Sequence, residues 1–287
     1  MDQPQLWVLG TLSFILRGGL LVLLLPILVL PSQVEVRLLL GGNLGSSGFA
    51  PGFWVAVGAA TIVSTGLVMA VLYALARLEL AAFAELARDP DLEIAPPTDS
   101  GAKVRDLFVV ESLTLMALLL AAVPLAAALG EATYAEILRP TSTAPVYDRV
   151  LAQVMGPLAL LVIALAVIDS VSAVVVRRLL MGRAVGSAVS GSIGALVRRP
   201  VRFLATGVVA WLALAAVVLT TDAALTIAWN ATRAAFLRTT SVADMLTSLA
   251  PLLVAVLLAG VFLSGLALCG YVAAFRNAAW TITSTRR

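Results

Sequence analysis

Three ionisable side chains stand inside otherwise apolar stretches of this sequence: Arg17, Glu111 and Asp169. A charge held in hydrocarbon costs at least about 2.5 kcal/mol, so each needs a partner or contact with water. Side chains of these types at such depth can bind an ion, pass a proton or hold a lipid headgroup. Arg17 lies about twelve residues into its apolar run, roughly 18 Å of helix rise. Asp169 lies eight residues before Arg177, roughly 12 Å below the same membrane face. The comparable depths make Asp169 the expected partner of Arg17, and Glu111 enters from the same side. Two readings of the three stand. They line a polar intramembrane site open to the cytoplasmic half, or they form an ion pair that fixes helix packing.

The remaining chemistry is defined by what is missing. The chain has no histidine and one cysteine, Cys269, so enzymes that use imidazole as ligand, base or nucleophile are excluded, and the thiol has no histidine to activate it. A metal-dependent lipid transferase needs clustered carboxylates, whereas Asp169 and Asp222 stand apart. A retinal Schiff base needs a lysine within a span, and Lys103 lies between spans. We therefore expect no catalytic residues, no metal site and no cofactor. The stretch Gly41 to Gly48 lacks the lysine and the strand-to-helix context of a phosphate loop, and reads as a linker.

These residues must be positioned by membrane helices. Only 12% of residues are charged, 61% are hydrophobic and the mean hydropathy is +1.04. A soluble domain needs roughly a quarter of its residues charged. Apolar runs near 6–30, 53–76, 107–130, 151–176, 202–221 and 246–275 each reach the roughly 20 residues that cross a bilayer. The fold expected is all-α, one domain over 1–287, with six transmembrane helices as three hairpins. The first run has no basic residue before it and no small-x-small cleavage site after Pro31, so it is expected to be retained. Asp222 and Trp229 are expected at the outer end of the fifth span.

Basic residues set the orientation. They crowd the second and fourth gaps, with Arg88, Lys103 and Arg105, then Arg183, Arg198 and Arg199, and they recur in the tail at Arg286 and Arg287. Both termini are therefore expected on the cytoplasmic side. The excess is a membrane bias and implies no nucleic acid. Within an amphipathic segment at about 178–199, Gly182, Gly186, Ser190 and Gly194 recur every four residues, a strip expected to pack against another helix. Arg183, Arg198 and Arg199 around it are expected to meet anionic headgroups. A second small-residue surface runs through Gly260, Ser264, Gly265, Cys269 and Gly270.

The first run ending Leu25-Pro26-Ile27 to Pro31, the segment ending Arg198-Arg199-Pro200 and the span after it resemble uncharacterised six-helix bacterial membrane proteins. Among these is the membrane domain attached to some glycerophosphodiester phosphodiesterases. The resemblance is one of layout and implies no activity. The near-complete use of arginine for lysine fits a GC-rich bacterial genome, hence a bacterial inner membrane. The expectation is a non-enzymatic multi-pass protein in contact with the bilayer, other membrane subunits or copies of itself. It is either a transport-related subunit or an assembly subunit.

Overall fold

The computed structural model describes residues 4–28, 44–45, 48–88, 100–138, 146–237 and 249–285. Apart from a two-residue antiparallel pairing of β1 (Leu44–Gly45) with β2 (Gly48–Phe49) inside the expected linker, the described residues form helices and the short turns that flank them. The helices are α1 (Pro4–Leu24), α2 (Pro51–Leu86), α3 (Ser100–Leu138), α4 (Val146–Leu180), α5 (Val185–Arg198), α6 (Pro200–Leu237) and α7 (Leu249–Thr285). All but α5 are long and apolar enough to cross a membrane. The chain is a multi-pass membrane protein.

The helices outrun the apolar segments that announce them. α2 has 36 residues, a rise of roughly 54 Å against a hydrocarbon core of about 30 Å. Its last turns, through Glu79, Ala81, Ala82, Ala84 and Glu85, are built from strong helix formers that need no lipid to stay helical. α6 likewise continues to Leu237, well past the expected end of the fifth span at 221. Pro124 and Pro157 lie inside α3 and α4 without ending them, as membrane helices tolerate.

The chain forms two compact units: Met1–Glu79 with Ala213–Ala274, and Leu80–Leu212 with Phe275–Arg287. The first unit packs around Phe14, Leu23, Leu225 and Cys269, flanked by apolar side chains of α6 and α7. Here α1 and α7 approach closely. A Cβ at Gly10 would overlap the Gly270 carbonyl, one at Gly270 would overlap Thr11, and Trp7 meets Tyr271 edge-on at 5.3 Å. Part of the expected small-residue surface of α7 is thus used, at Gly265, Cys269 and Gly270, while Gly260 faces open space and Ser264 is exposed.

In the second unit α3 and α4 run antiparallel, joined at three levels. Lys103 Nζ donates to the Leu179 carbonyl at 2.8 Å, Thr114 Oγ1 donates to Ser172 Oγ at 2.9 Å, and Glu136 pairs with Arg149 at 3.0 Å. Ala132, Val150 and Val154 pack beside the last of these. A separate cluster joins Val174, Phe203 and Trp280, with Ala195 and Leu196 of α5 against it.

α5 (Val185–Arg198) lies within the segment expected at about 178–199, whose first residues, to Leu180, instead end α4, and its packed face differs from the expected one. Ala188 and Ser192 are buried, and Gly191 lies so close to Arg178 that a Cβ would overlap the guanidinium. Of the expected strip, Gly182 lies before the helix with φ +94, Gly186 and Gly194 face open space, and Ser190 is exposed.

Candidate functional site

Arg17 owes its placement to a defect in α1. Residues Ile15–Gly19 form a π turn with Gly18 at φ +85, a conformation that favours glycine. Gly19 follows directly beneath the Phe14 ring, where a Cβ would clash. The wide turn adds one residue to the helical repeat. Core contact therefore passes from Phe14 to Gly19 and Leu23, while Arg17 is turned aside to α2.

There Arg17 Nη2 donates to Glu79 Oε1 at 3.2 Å. The two ends differ in exposure: the Glu79 side chain is 4% exposed and that of Arg17 is 28%. Glu79 lies three residues past the expected end of the second span. It sits on a helical stripe with Leu72, Leu75, Ala76, Ala82, Phe83 and Leu86, all buried. A carboxylate on an apolar stripe of that period was the available signal for it.

Asp169 belongs to the other unit and accepts from Arg276 Nη2 of α7. Both side chains of this pair are mostly buried, at 18% and 17% exposure. Thus Arg17 and Asp169, expected to pair with each other, each show a partner the sequence did not nominate. Glu111 is buried on α3 beside Leu107 and Val110, and Arg177, from which the depth of Asp169 was counted, is also buried. A further ion pair went unforeseen: Glu136 with Arg149, reinforced by Gln153 Nε2 donating to Glu136 Oε1 at 2.7 Å.

Chemically these are hydrogen-bonded charge pairs. Among the described residues no group of three or more His, Cys, Asp or Glu side chains is placed to hold a metal ion. Arg183, Arg198 and Arg199 are exposed around α5. Fold and charges together define a polytopic helical membrane protein with ion pairs inside its helices. No family model, no curated protein and no solved structure matches the chain. The resemblance in layout thus transfers no functional residue.

Proposed function

We propose that the chain is a non-enzymatic, transport-related subunit of a bacterial cytoplasmic membrane, with both termini inside and its polar site at Arg17 and Glu79. The observation that carries this reading is the one-sided exposure of that pair, 28% against 4%, beside a π turn in the helix that supplies the arginine. A purely structural pair needs neither end accessible. A pair that meets a solute needs one end accessible, and interrupted membrane helices are where transporters place such ends. Exposed Arg183, Arg198 and Arg199 supply contacts for anionic headgroups.

Accessibility tests the reading. In a Cys269→Ser background, Arg17→Cys in inside-out vesicles is expected to react with a membrane-impermeant maleimide. Leu21→Cys, at a position 65% exposed in the chain and facing lipid in this reading, is expected to stay unmodified. Equal protection of the two thiols would sink the transport reading.

One observation favours assembly instead. Residues 54–70 of α2 are exposed all round, with Val55 at 72% and Ile62 at 74%. In that reading another membrane subunit or a second copy covers this helix. Disulfide cross-linking through Ile62→Cys in native membranes would then trap a discrete partner.

A further inference from the structure

Asp222 takes no part in the ion pairs described above. The continuation of α6 to Leu237 moves it from the expected end of a span to the interior of a helix. Its depth follows from the register of α6 on α7. Thr221 lies where a Cβ on Gly265 would be, and Thr232 Oγ1 donates to the Val254 carbonyl at 3.3 Å. The antiparallel pairing sets Asp222 opposite Ser264. Residues 249–275 of α7 contain no charged side chain, and Ser264 lies two positions from the middle of that run, roughly 3 Å along the axis. Asp222 therefore sits near the mid-plane of the hydrocarbon that α7 crosses.

Its surroundings are apolar. Val218 and Leu225, one turn before and after it, belong to the core with Phe14, Leu23 and Cys269. Asp222 is half-buried; its Oδ1 is buried without a hydrogen-bond partner among the described residues, and the Thr226 hydroxyl is engaged with the Asp222 backbone carbonyl. Within this unit the titratable side chains on α1 and α7 are, among the described residues, Arg17, bound to Glu79, and Cys269 and Tyr271, the latter edge-on to Trp7; Arg276 of α7 belongs to the other unit, where it pairs with Asp169. In α2, Arg77 is engaged with Tyr73. Arg233 is exposed and eleven residues further along α6, roughly 17 Å away.

We propose that Asp222 is an intramembrane proton-binding site, holding a proton in the packed bundle and exchanging it when the packing of α1, α6 and α7 admits water. A bare carboxylate in hydrocarbon costs several kcal/mol, and taking up one proton removes that charge. The step is carboxylate plus proton to carboxylic acid, with no electrons transferred. A metal cation fits poorly, since hard cations take about six or more oxygen ligands and among the described residues no group of three or more His, Cys, Asp or Glu side chains is placed to supply them. The inference is independent of the Arg17–Glu79 reading and survives its failure.

Infrared difference spectra of the full chain in lipid nanodiscs, wild type against Asp222→Asn, read the proton directly when titrated from about pH 5 to about pH 10, well above the ordinary carboxylate range near 4. The expected result is a carboxylic-acid carbonyl band at neutral pH, lost in the asparagine variant and kept in Asp222→Glu. The band is expected to decline reversibly as the medium becomes alkaline. An ionised carboxylate at neutral pH would overturn the proposal, and so would a band that never titrates. Should Asp222→Asn fail to fold, dicyclohexylcarbodiimide, which attacks protonated carboxyls in apolar settings, replaces it. Modification mapped to Asp222 of the wild type that falls about tenfold per pH unit on alkalinisation supports the proposal, and an unmodified Asp222 overturns it.

Discussion

Removing the Glu136 carboxylate should damage this protein far more than removing a surface cation, and the two ion pairs concerned allow the difference to be worked out. Glu136 is 1% exposed at its side chain and Arg149 11%, with Gln153 adding a donor to Glu136 at 2.7 Å. Glu136→Leu leaves the Arg149 guanidinium nine-tenths buried with the Glu136 charge removed, a loss of about 3–5 kcal/mol. Arg88, by contrast, is 68% exposed in its pair with Glu85, and Arg88→Ala should cost at most about 1 kcal/mol. At roughly 2–4 °C per kcal/mol for a chain of this size, unfolding followed by tryptophan fluorescence should shift down by about 10 °C for Glu136→Leu. The shift for Arg88→Ala should be no more than about 4 °C. The double variant Glu136→Leu/Arg149→Met removes both charges together and should recover most of the loss, because a buried pair exchanged for apolar side chains of similar volume is close to neutral. Equal shifts for the two single variants, or a double variant whose losses simply add, would refute the account of a buried, mutually dependent pair.

Three further pairs of substitutions probe the packing. Gly270→Leu drives a side chain into Thr11 where α1 meets α7 and should cost about 1–3 kcal/mol, whereas Gly260→Leu, which meets open space, should leave the thermal midpoint unchanged. Gly18→Ala forces a Cβ onto φ +85 at about 1–2 kcal/mol, and Gly186→Ala, in an open helical position, should stabilise by about 0.4–1 kcal/mol. Trp280→Ala empties a site that is 1% exposed and should lose about 3–5 kcal/mol, while Trp54→Ala, at 61% exposure, should lose little, both read by chemical denaturation followed by circular dichroism.

What the sequence revealed and what it concealed divide along one physical line. Lipid selects on the summed hydropathy of about 20 residues, so six crossings were legible without any structure. Helix ends were not, because Ala81 to Glu85 in α2 and the residues after 221 in α6 carry the helix onward by propensity after the apolar signal has stopped. The need of Arg17 for a partner followed from depth alone, and the π turn fell at the glycine pair Gly18-Gly19. The partner did not follow, since distance along the chain sets depth and leaves open which helix lies beside which. Glu79 was nevertheless detectable as a carboxylate in phase with Leu72, Leu75 and Phe83. α5 shows the same ambiguity in miniature. A four-residue period says that Gly186, Ser190 and Gly194 share a face, but Ala188 and Ser192 share another of equal smallness, and it is the Arg178 guanidinium over Gly191 that selects the second. Asp222 is the extreme case. Counted from the start of α6 it belongs at a membrane surface, and counted through Thr221 on Gly265 it belongs near the middle. Periodicity gives each helix its own scale, and only a contact between two helices aligns one scale with the other. The cost of an intramembrane charge therefore becomes calculable when register is known, and not before.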